Sequence, residues 1–512
     1  MPDQPTSLPE EFLGDMPAEE FRAAGHRLID WVADYLDHAE RYPVLAQTAP
    51  GALRRELPIQ APDKPQPMDD ILRDFEEVVL PGVTHWNHPG FFAYFAITGS
   101  GPGILGELLS AALNVNAMLW KTCPAASELE EVVLGWLRQL LGLPEDFFGV
   151  VMDTASVASL CAIAAARENV PGLDAREKGL AGRTELPRLR LYTSEQAHSS
   201  IEKAAIVLGL GQAGVRKIPV DAEFRLRPEL LAQAIEEDTR AGWKPFCVVA
   251  TVGTTSTTSV DPVPAIADLC QRYNLWLHVD AAYAGSAAIL PQCRWALAGC
   301  ERADSLVMNP HKWLFTPFDF SAFYCRRPEV LRNTFSLVPE YLRTAEDPEA
   351  RNYMDYGIQL GRRFRALKFW FVLRYFGSEG LRQRLRQHIA WAQDFADWVD
   401  ADPDFERLAP APFSVVCFRA RPAALAARPK VAAKDEADNI EKYCDELNAA
   451  LLDAVNATGE IYLSHTKLNG KFTLRLAIGN LRTTKQHVLR AWRLLREHAR
   501  RLDTADRPPH LR

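Results

Sequence analysis

The sequence predicts an α/β fold in which a large domain built on a mainly parallel sheet carries an N-terminal helical arm and a small C-terminal α+β domain. Three observations point there. Between about residues 100 and 325, the β-rich runs GVVM, LRLYT, FCVVATV, LWLHVD and SLVMN alternate with helical segments, and strands apolar on both faces that are joined by helices imply a parallel sheet covered on both sides. After Gly361 the pattern changes to a long helical region, RRFRALKFWFVLRYFG through FADWVDAD, and then to strands at FSVVCF, EIYLS and FTLRLAIG interleaved with helices. A length of 512 residues also exceeds what one compact core accommodates. We place the arm at 1–100, the large domain at 101–370 and the small domain at 371–512.

The arm opens with AEEFRAAGHRLIDWVADYLDH, which sets Phe21, Leu28, Ile29, Val32 and Leu36 on one helical face with charges opposite. Such a face needs a partner surface, either in its own subunit or across a dimer. The proline-rich RELPIQAPDKPQPMDD next to it argues against an independent N-terminal domain. In the C-terminal part, ARPAALAARPKVAAKDEA reads as a surface excursion, and the basic run LRAWRLLREHARR reads as the solvated face of a helix.

Composition narrows the classes of function. Hydrophobic residues make up 47% and charged residues 24%, and no apolar run reaches the roughly 18 residues of a membrane span. The start, MPDQPTSLPEEFLGD, lacks the basic and apolar regions of a signal peptide, so a cytoplasmic protein is expected. Nine cysteines without a CxxC pair suggest reduced core thiols and no metal site. A net charge of −8 argues against nucleic-acid binding.

The chemistry lies just past the strand ends. SLVMN runs into Pro310, His311, Lys312 and Trp313, so an amine stands beyond a strand beside an imidazole. Desolvation would lower its pKa and make it a Schiff-base nucleophile. The apolar strand LWLHVD ends in Asp280, which is costly to bury without a cation such as a protonated pyridine nitrogen; the plainer reading is a turn cap. Asp153, Thr154, Ala155 and Ser156 open a helix whose free N–H groups suit an anion, although hydroxyl residues also cap helices that bind nothing. LRLYT leads to His198, placed to stack on a flat ring, and FCVVATVGTT finishes with Gly253, Thr254 and Thr255.

The motifs NPHKW, HVDAAYAGSA, SEQAHSSIEKA, ATVGTT, HWNHPGFFAYF and LGRRFRALKFWFVLRYFG resemble those of the group II pyridoxal-5′-phosphate (PLP) decarboxylases, the aromatic-L-amino-acid decarboxylase family. The match runs from about residue 17 to 500. The resemblance implies the fold type I (aspartate-aminotransferase-like) architecture, a PLP cofactor, and a homodimer with active sites at the interface. It implies Lys312 as the Schiff-base lysine, Asp280 as partner of the ring nitrogen, His198 as the stacking imidazole and Ala282 beneath the ring. Thr154, Ala155 and Ser156 match the phosphate loop with Asn309 and His311 nearby, and Thr255 matches the family's threonine close to ring and substrate. Trp86, Tyr94, Phe95 and Phe318 resemble substrate-pocket residues, with Met118 supplied by the other subunit. Tyr341, in LVPEYLRTAEDPEARNYMD, is the candidate acid that protonates the α-carbon after CO2 leaves.

The aromatic wall suits a flat side chain, and no arginine for a distal carboxylate stands out. Gly361 matches a position where plant relatives with glycine tend toward indolic substrates and those with serine toward phenolic ones; animal DOPA-using relatives also carry glycine, so the resemblance gives a lean to tryptophan and leaves tyrosine, DOPA and phenylalanine open. Departures from the family pattern cluster at the phosphate loop, where Asp153 replaces a glycine and Val157 often a glutamate. A carboxylate beside a phosphate would repel it, and a position needing positive φ suits glycine better, so Asp153→Gly is expected to retain PLP more tightly. Ala96, Ile97 and Asn116 also depart from the pattern and leave the pocket's shape open. Three rivals stand beside the decarboxylase: an aromatic aldehyde synthase, which Tyr341 opposes; an aminotransferase, for which no arginine toward the substrate carboxylate is evident; and a non-catalytic binding protein on the same fold.

Overall fold

The computed structural model describes residues 14–337, 350–426 and 434–508. A seven-stranded sheet forms its centre in the order β1-β7-β6-β5-β4-β2-β3. The strands are β1 (Phe148–Met152), β2 (Arg188–Ser194), β3 (Val215–Ile218), β4 (Trp243–Thr251), β5 (Trp276–Asp280), β6 (Ser305–Met308) and β7 (Ser321–Cys325). Pairing is parallel from β3 through β2, β4 and β5 to β6. Only β7 runs the other way, antiparallel to β6 and β1. All five runs expected as strands of the large domain are strands of this sheet. Two more, β3 (VRKI) and β7 (SAFYC), escape the sequence pattern, the first being short and half polar and the second lacking a preceding crossover helix.

The principal helices are α1 (Ala18–Asp37), α2 (Gly101–Leu113), α3 (Pro124–Leu141), α4 (Ala155–Glu168), α5 (Ser200–Val207), α6 (Pro228–Arg240), α7 (Val263–Tyr273), α8 (Arg365–Ala401), α9 (Lys434–Asn456) and α10 (Lys485–Asp506). Apolar side chains of α3, α6 and α7 pack with β4 and β5 residues into one core, while α4 packs against Val150, Leu191, Val249, Trp276 and Val307 from the other face. Both faces of the sheet are therefore buried, which explains why strands such as β5 are buried at every residue.

A second sheet, β10-β11-β9-β8, is built from β8 (Phe405–Arg407), β9 (Val415–Ala420), β10 (Ser464–Leu468) and β11 (Lys471–Ala477) and is antiparallel throughout. The strand expected at EIYLS begins only at Ser464; Tyr462 instead makes an isolated bridge to Phe91, so that segment ties the arm to this sheet. Long helix α8 crosses residues 370 and 371, with Leu373, Leu381 and Leu385 in the large core and Phe395, Ala396 and Val399 in the second. Its bend falls at Gly377 (φ 64°), a left-handed conformation that glycine adopts without strain. In α10, Leu494 and Leu495 are buried, as the solvated-face reading of that basic run requires. On α1, by contrast, Phe21 is 64% exposed and Ile29 45%, so this chain leaves part of the expected apolar face uncovered.

Candidate active site

The carboxyl ends of the parallel strands converge on one cavity of about 380 Å³, the position where open α/β sheets bind ligands. After β6, a single helical turn (Pro310–Trp313) carries His311 and Lys312, tied back by the Lys312 N–H to the Asn309 carbonyl at 3.0 Å. The Asn309 N–H donates to the Ala282 carbonyl at 3.1 Å, which locks this turn to the one after β5. Burial lowers the Lys312 pKa, opposed by the charge of Asp280, and its Nζ lies 5.1 Å from the centre of the Phe95 ring. His311 Nδ1 accepts the Phe320 N–H at 3.0 Å, so the ring proton sits on Nε2; burial first, and Lys312 second, push its pKa down to about 3.

Asp280, 6% exposed, accepts the Ala282 N–H at 3.1 Å on Oδ1. Among the described residues it forms no direct ion pair with Lys312, although the two charges sense one another. His198 is open on its cavity side. Its Nδ1 accepts the Ser200 N–H at 3.2 Å, which leaves the proton on Nε2, and burial lowers its pKa, opposed by the charge of Asp280. Thr255 follows a turn at Gly253 (φ +89°), where a Cβ would stand 2.5 Å from that of Ala284; only glycine permits this turn.

Helix α4 starts at Ala155 with Thr154 extended before it, and no side chain caps its first N–H groups. Thr154, Ala155 and Ser156 line the cavity with those donors free, an anion cradle. The end of β1 is pinned by a buried pair, since Glu130 Oε1 accepts the Val151 N–H at 2.8 Å and binds Arg362 at 2.6 Å.

Asp153 behaves differently from expectation. It is not among the residues at positive φ, so the backbone reason for preferring glycine does not hold. Its carboxylate binds Arg365 at 2.6 Å and accepts a hydrogen bond from Gln359, and Arg365 reaches Asp319 at 2.8 Å. The carboxylate that was expected to face an anion unpaired thus has a guanidinium partner, shared with Asp319, from a segment far along the chain, which no local pattern revealed. Val157 does not line the cavity.

Trp86, Tyr94, Phe95 and Phe318 form the aromatic wall, as expected, with Ile97 beside them. The Tyr94 and Tyr462 hydroxyls are 3.1 Å apart, and Phe95 stacks on Tyr283 at 3.9 Å. Met118 and Gly361 do not line this chain's cavity. Met118 packs with Leu119 and Met354, and Gly361 lies beside Asn116, whose Oδ1 accepts the Arg362 N–H at 3.0 Å. Tyr341 lies outside the described residues.

Sequence reasoning missed Tyr283 and Arg475, both in the cavity wall. Arg475 corrects the expectation that no arginine is available to a substrate carboxylate. Buried on β11, it donates to the Ser256 carbonyl (2.8 Å), the Thr255 carbonyl (2.8 Å) and Ser464 Oγ (3.1 Å). The available signal was a charge inside the apolar run FTLRLAIG, since a buried guanidinium is rare without a task.

An amine, a carboxylate held apart from it, a flat imidazole and an uncapped helix start around one cavity fit PLP: the aldehyde to Lys312, the ring nitrogen to Asp280, the phosphate to α4. The pyridoxal-dependent decarboxylase conserved domain matches residues 50–421. The chain is 42% identical to a phenylacetaldehyde synthase of Arabidopsis thaliana over 95% of its length and 97% of the relative's. It is 42% identical to tyrosine decarboxylase 3 of Petroselinum crispum (95% and 93% covered) and 41% identical to tryptophan decarboxylase 2 of Oryza sativa subsp. japonica (96% and 96%). The crystal structure of Oryza sativa TDC with PLP and tryptamine superimposes with a TM-score of 0.89 at 38% identity, covering 96% of this chain and 99% of that one. The chain therefore belongs to the pyridoxal-dependent decarboxylases, in the group that contains the aromatic-L-amino-acid decarboxylases, and is a PLP-dependent carboxy-lyase of fold type I.

Proposed function

We propose that the protein removes the α-carboxylate of an aromatic L-amino acid, tryptophan or another indolic one first, and releases the arylalkylamine and CO2. The observation that carries this reading is that Lys312 and Asp280 line one cavity walled by Trp86, Tyr94, Phe95 and Phe318. Bound PLP supplies an aldehyde for the substrate amine and a protonated ring that withdraws electrons from the α-carbon. The protein's part is positional and electrostatic. Desolvation of Lys312 favours its neutral, nucleophilic form, and Asp280 keeps the proton on the ring nitrogen. His198 presents a neutral, flat ring toward the cavity, and the first turn of α4 with Asn309 and His311 nearby holds the phosphate. Arg475 offers its remaining N–H groups to the α-carboxylate, and the hydroxyl of Tyr341 returns a proton to the α-carbon.

The indolic preference is supported by likeness to Oryza sativa TDC and to Catharanthus roseus tryptophan decarboxylase, whose TM-score is 0.86. A second reading, oxidative conversion to the aldehyde, is favoured by the similarity to phenylacetaldehyde synthases, and the presence of both His198 and Tyr341 stands against it. We further propose a homodimer in which Met118 and Gly361 complete the partner's pocket. The cavity's Tyr94 and Phe318 are 50% and 55% exposed in one chain, which supports an outer wall supplied from elsewhere.

Two measurements test these proposals. Borohydride reduction of the holoprotein followed by peptide mapping is expected to find the pyridoxyl group on Lys312; a label on any other lysine overturns the site. Turnover of tryptophan, 5-hydroxytryptophan, tyrosine, DOPA and phenylalanine, scored for amine, CO2, aldehyde and peroxide, is expected to give amine and CO2 in equal amounts. Stoichiometric peroxide with aldehyde would instead establish the oxidative reaction.

A further inference from the structure

His278 lies two residues before Asp280 on β5, on the same strand face, and is fully buried. That face packs against α4, the helix whose first turn forms the anion cradle. Both ring nitrogens of His278 have partners. Nε2 stands 3.0 Å from Ser159 Oγ on α4, and Nδ1 stands 2.9 Å from Ser305 Oγ on β6. The Trp276 indole, which can only donate, bonds the same Ser305 Oγ at 3.0 Å. Ser159 and Ser305 are themselves completely buried.

This chain of polar groups runs through an otherwise apolar core and does not line the active-site cavity. Its cost is the desolvation of an imidazole and two hydroxyls, which apolar residues of similar shape would avoid. Its placement gives it a role. Ser159 is four residues into α4 from Ala155, His278 shares β5 with Asp280, and Ser305 opens the strand that leads to Asn309 and Lys312. The three elements that would hold phosphate, ring nitrogen and aldehyde are thus joined behind the cavity by one side chain.

We propose that His278 is a positioning residue for the cofactor, bridging α4 to β5 and β6 so that anion cradle, Asp280 and Lys312 keep their spacing. The inference rests on the reading of Lys312, Asp280 and the α4 first turn as the PLP site. A neutral imidazole suits the task because one nitrogen donates while the other accepts; burial holds it in that form by pushing its pKa down to about 4. The charge of Asp280 opposes that shift, and no other charged side chain facing the ring contributes to it.

The test uses the purified protein with PLP. His278→Leu is expected to weaken PLP binding to the apoprotein by about tenfold or more, the scale found when groups supporting a ligand-binding shell are removed. It is also expected to move the pH midpoint of the bound cofactor's visible absorbance. His278→Gln, which can donate and accept, should recover most of both losses, and Ser159→Ala should shift both in the same direction to a smaller extent. A control, Leu451→Ala in the second core, reports what loss of stability alone does to these readouts. If His278→Leu lowers the melting temperature as the control does but leaves PLP affinity and the absorbance titration as in the parent, the histidine only fills space and the proposal falls. Should His278→Leu not fold, Ser159→Ala and Ser305→Ala decide the matter, and unchanged PLP affinity in both overturns it. Failure of the underlying site reading looks different, because the parent protein itself would then show no lysine-linked cofactor absorbance.

Discussion

At the scale of single residues, the site works by desolvation under local control. Lys312 and His311 are adjacent, and burial disfavours protonation of both, which sets a lysine of lowered pKa beside a neutral N–H donor. Arg475 is the counterexample, a guanidinium kept in the wall by two backbone carbonyls and a serine hydroxyl. If its free N–H groups hold the α-carboxylate, Arg475→Lys should raise KM for the amino acid by about tenfold or more, since a lysine cannot reproduce the planar fork. Inhibition by the product amine, which has no carboxylate, should change by less than about threefold. Equal losses for acid and amine would show that Arg475 supports the wall and nothing more.

At the scale of elements, strand ends and helix starts decide where chemistry can occur. The first turn of α4 is set by β1, which Glu130 and Arg362 anchor, and Asp153, between β1 and α4, is paired with Arg365, a guanidinium it shares with Asp319. Asp153→Gly is therefore expected to alter PLP affinity by less than about threefold while costing about 1 kcal/mol of stability, the scale of a partly exposed charged hydrogen bond. Titration of the apoprotein with PLP and thermal melts of both proteins measure this. Much tighter binding by the glycine variant would show that repulsion outweighs the guanidinium after all. Legibility differed among elements for physical reasons. Strands β1, β2, β4, β5 and β6 were evident because burial on both faces demands apolar runs. The short, half-polar β3 at the sheet edge and the antiparallel β7, which no crossover helix precedes, were not, and EIYLS reads as a strand although most of it spans the arm and the second sheet.

At the scale of the whole molecule, the surface and the interior each make a prediction. On α2, Leu105, Leu108, Leu109 and Leu113 are between 46% and 59% exposed, an apolar cluster on one helix that a partner surface would cover. Leu109→Glu should shift sedimentation from dimer toward monomer and reduce turnover along with it; a monomeric parent protein would end the dimer proposal. Inside, burial pushes His88 and His278 down to about 4, and His311 and His388 down to about 3. The unfolded chain takes up these protons as pH falls below about 6.5 and the folded one does not, so stability drops between about pH 6.5 and 4, on the order of 1 kcal/mol per pH unit for each histidine. Asp261, pushed up to about 6 by burial, acts in the opposite sense across part of that window, one group against four. Melting of the apoprotein should thus fall steadily from pH 7 to 5, and a flat profile would contradict it.

The sequence by itself determined which polar groups stand at the strand ends, because a lysine, an aspartate or a hydroxyl closing an apolar run is a local pattern that can be read without its neighbours in space. Lys312, Asp280, His198, the 154–156 turn and the aromatic wall could be named from it and meet in one cavity. Tertiary structure alone decided what surrounds them: Arg475 arriving from the second sheet, Tyr283 stacked on Phe95, Arg365 answering Asp153, and His278 joined to Ser159 and Ser305. Those contacts depend on which distant segments pack together and in what register, and that information is spread across the whole core rather than written in any one stretch of chain.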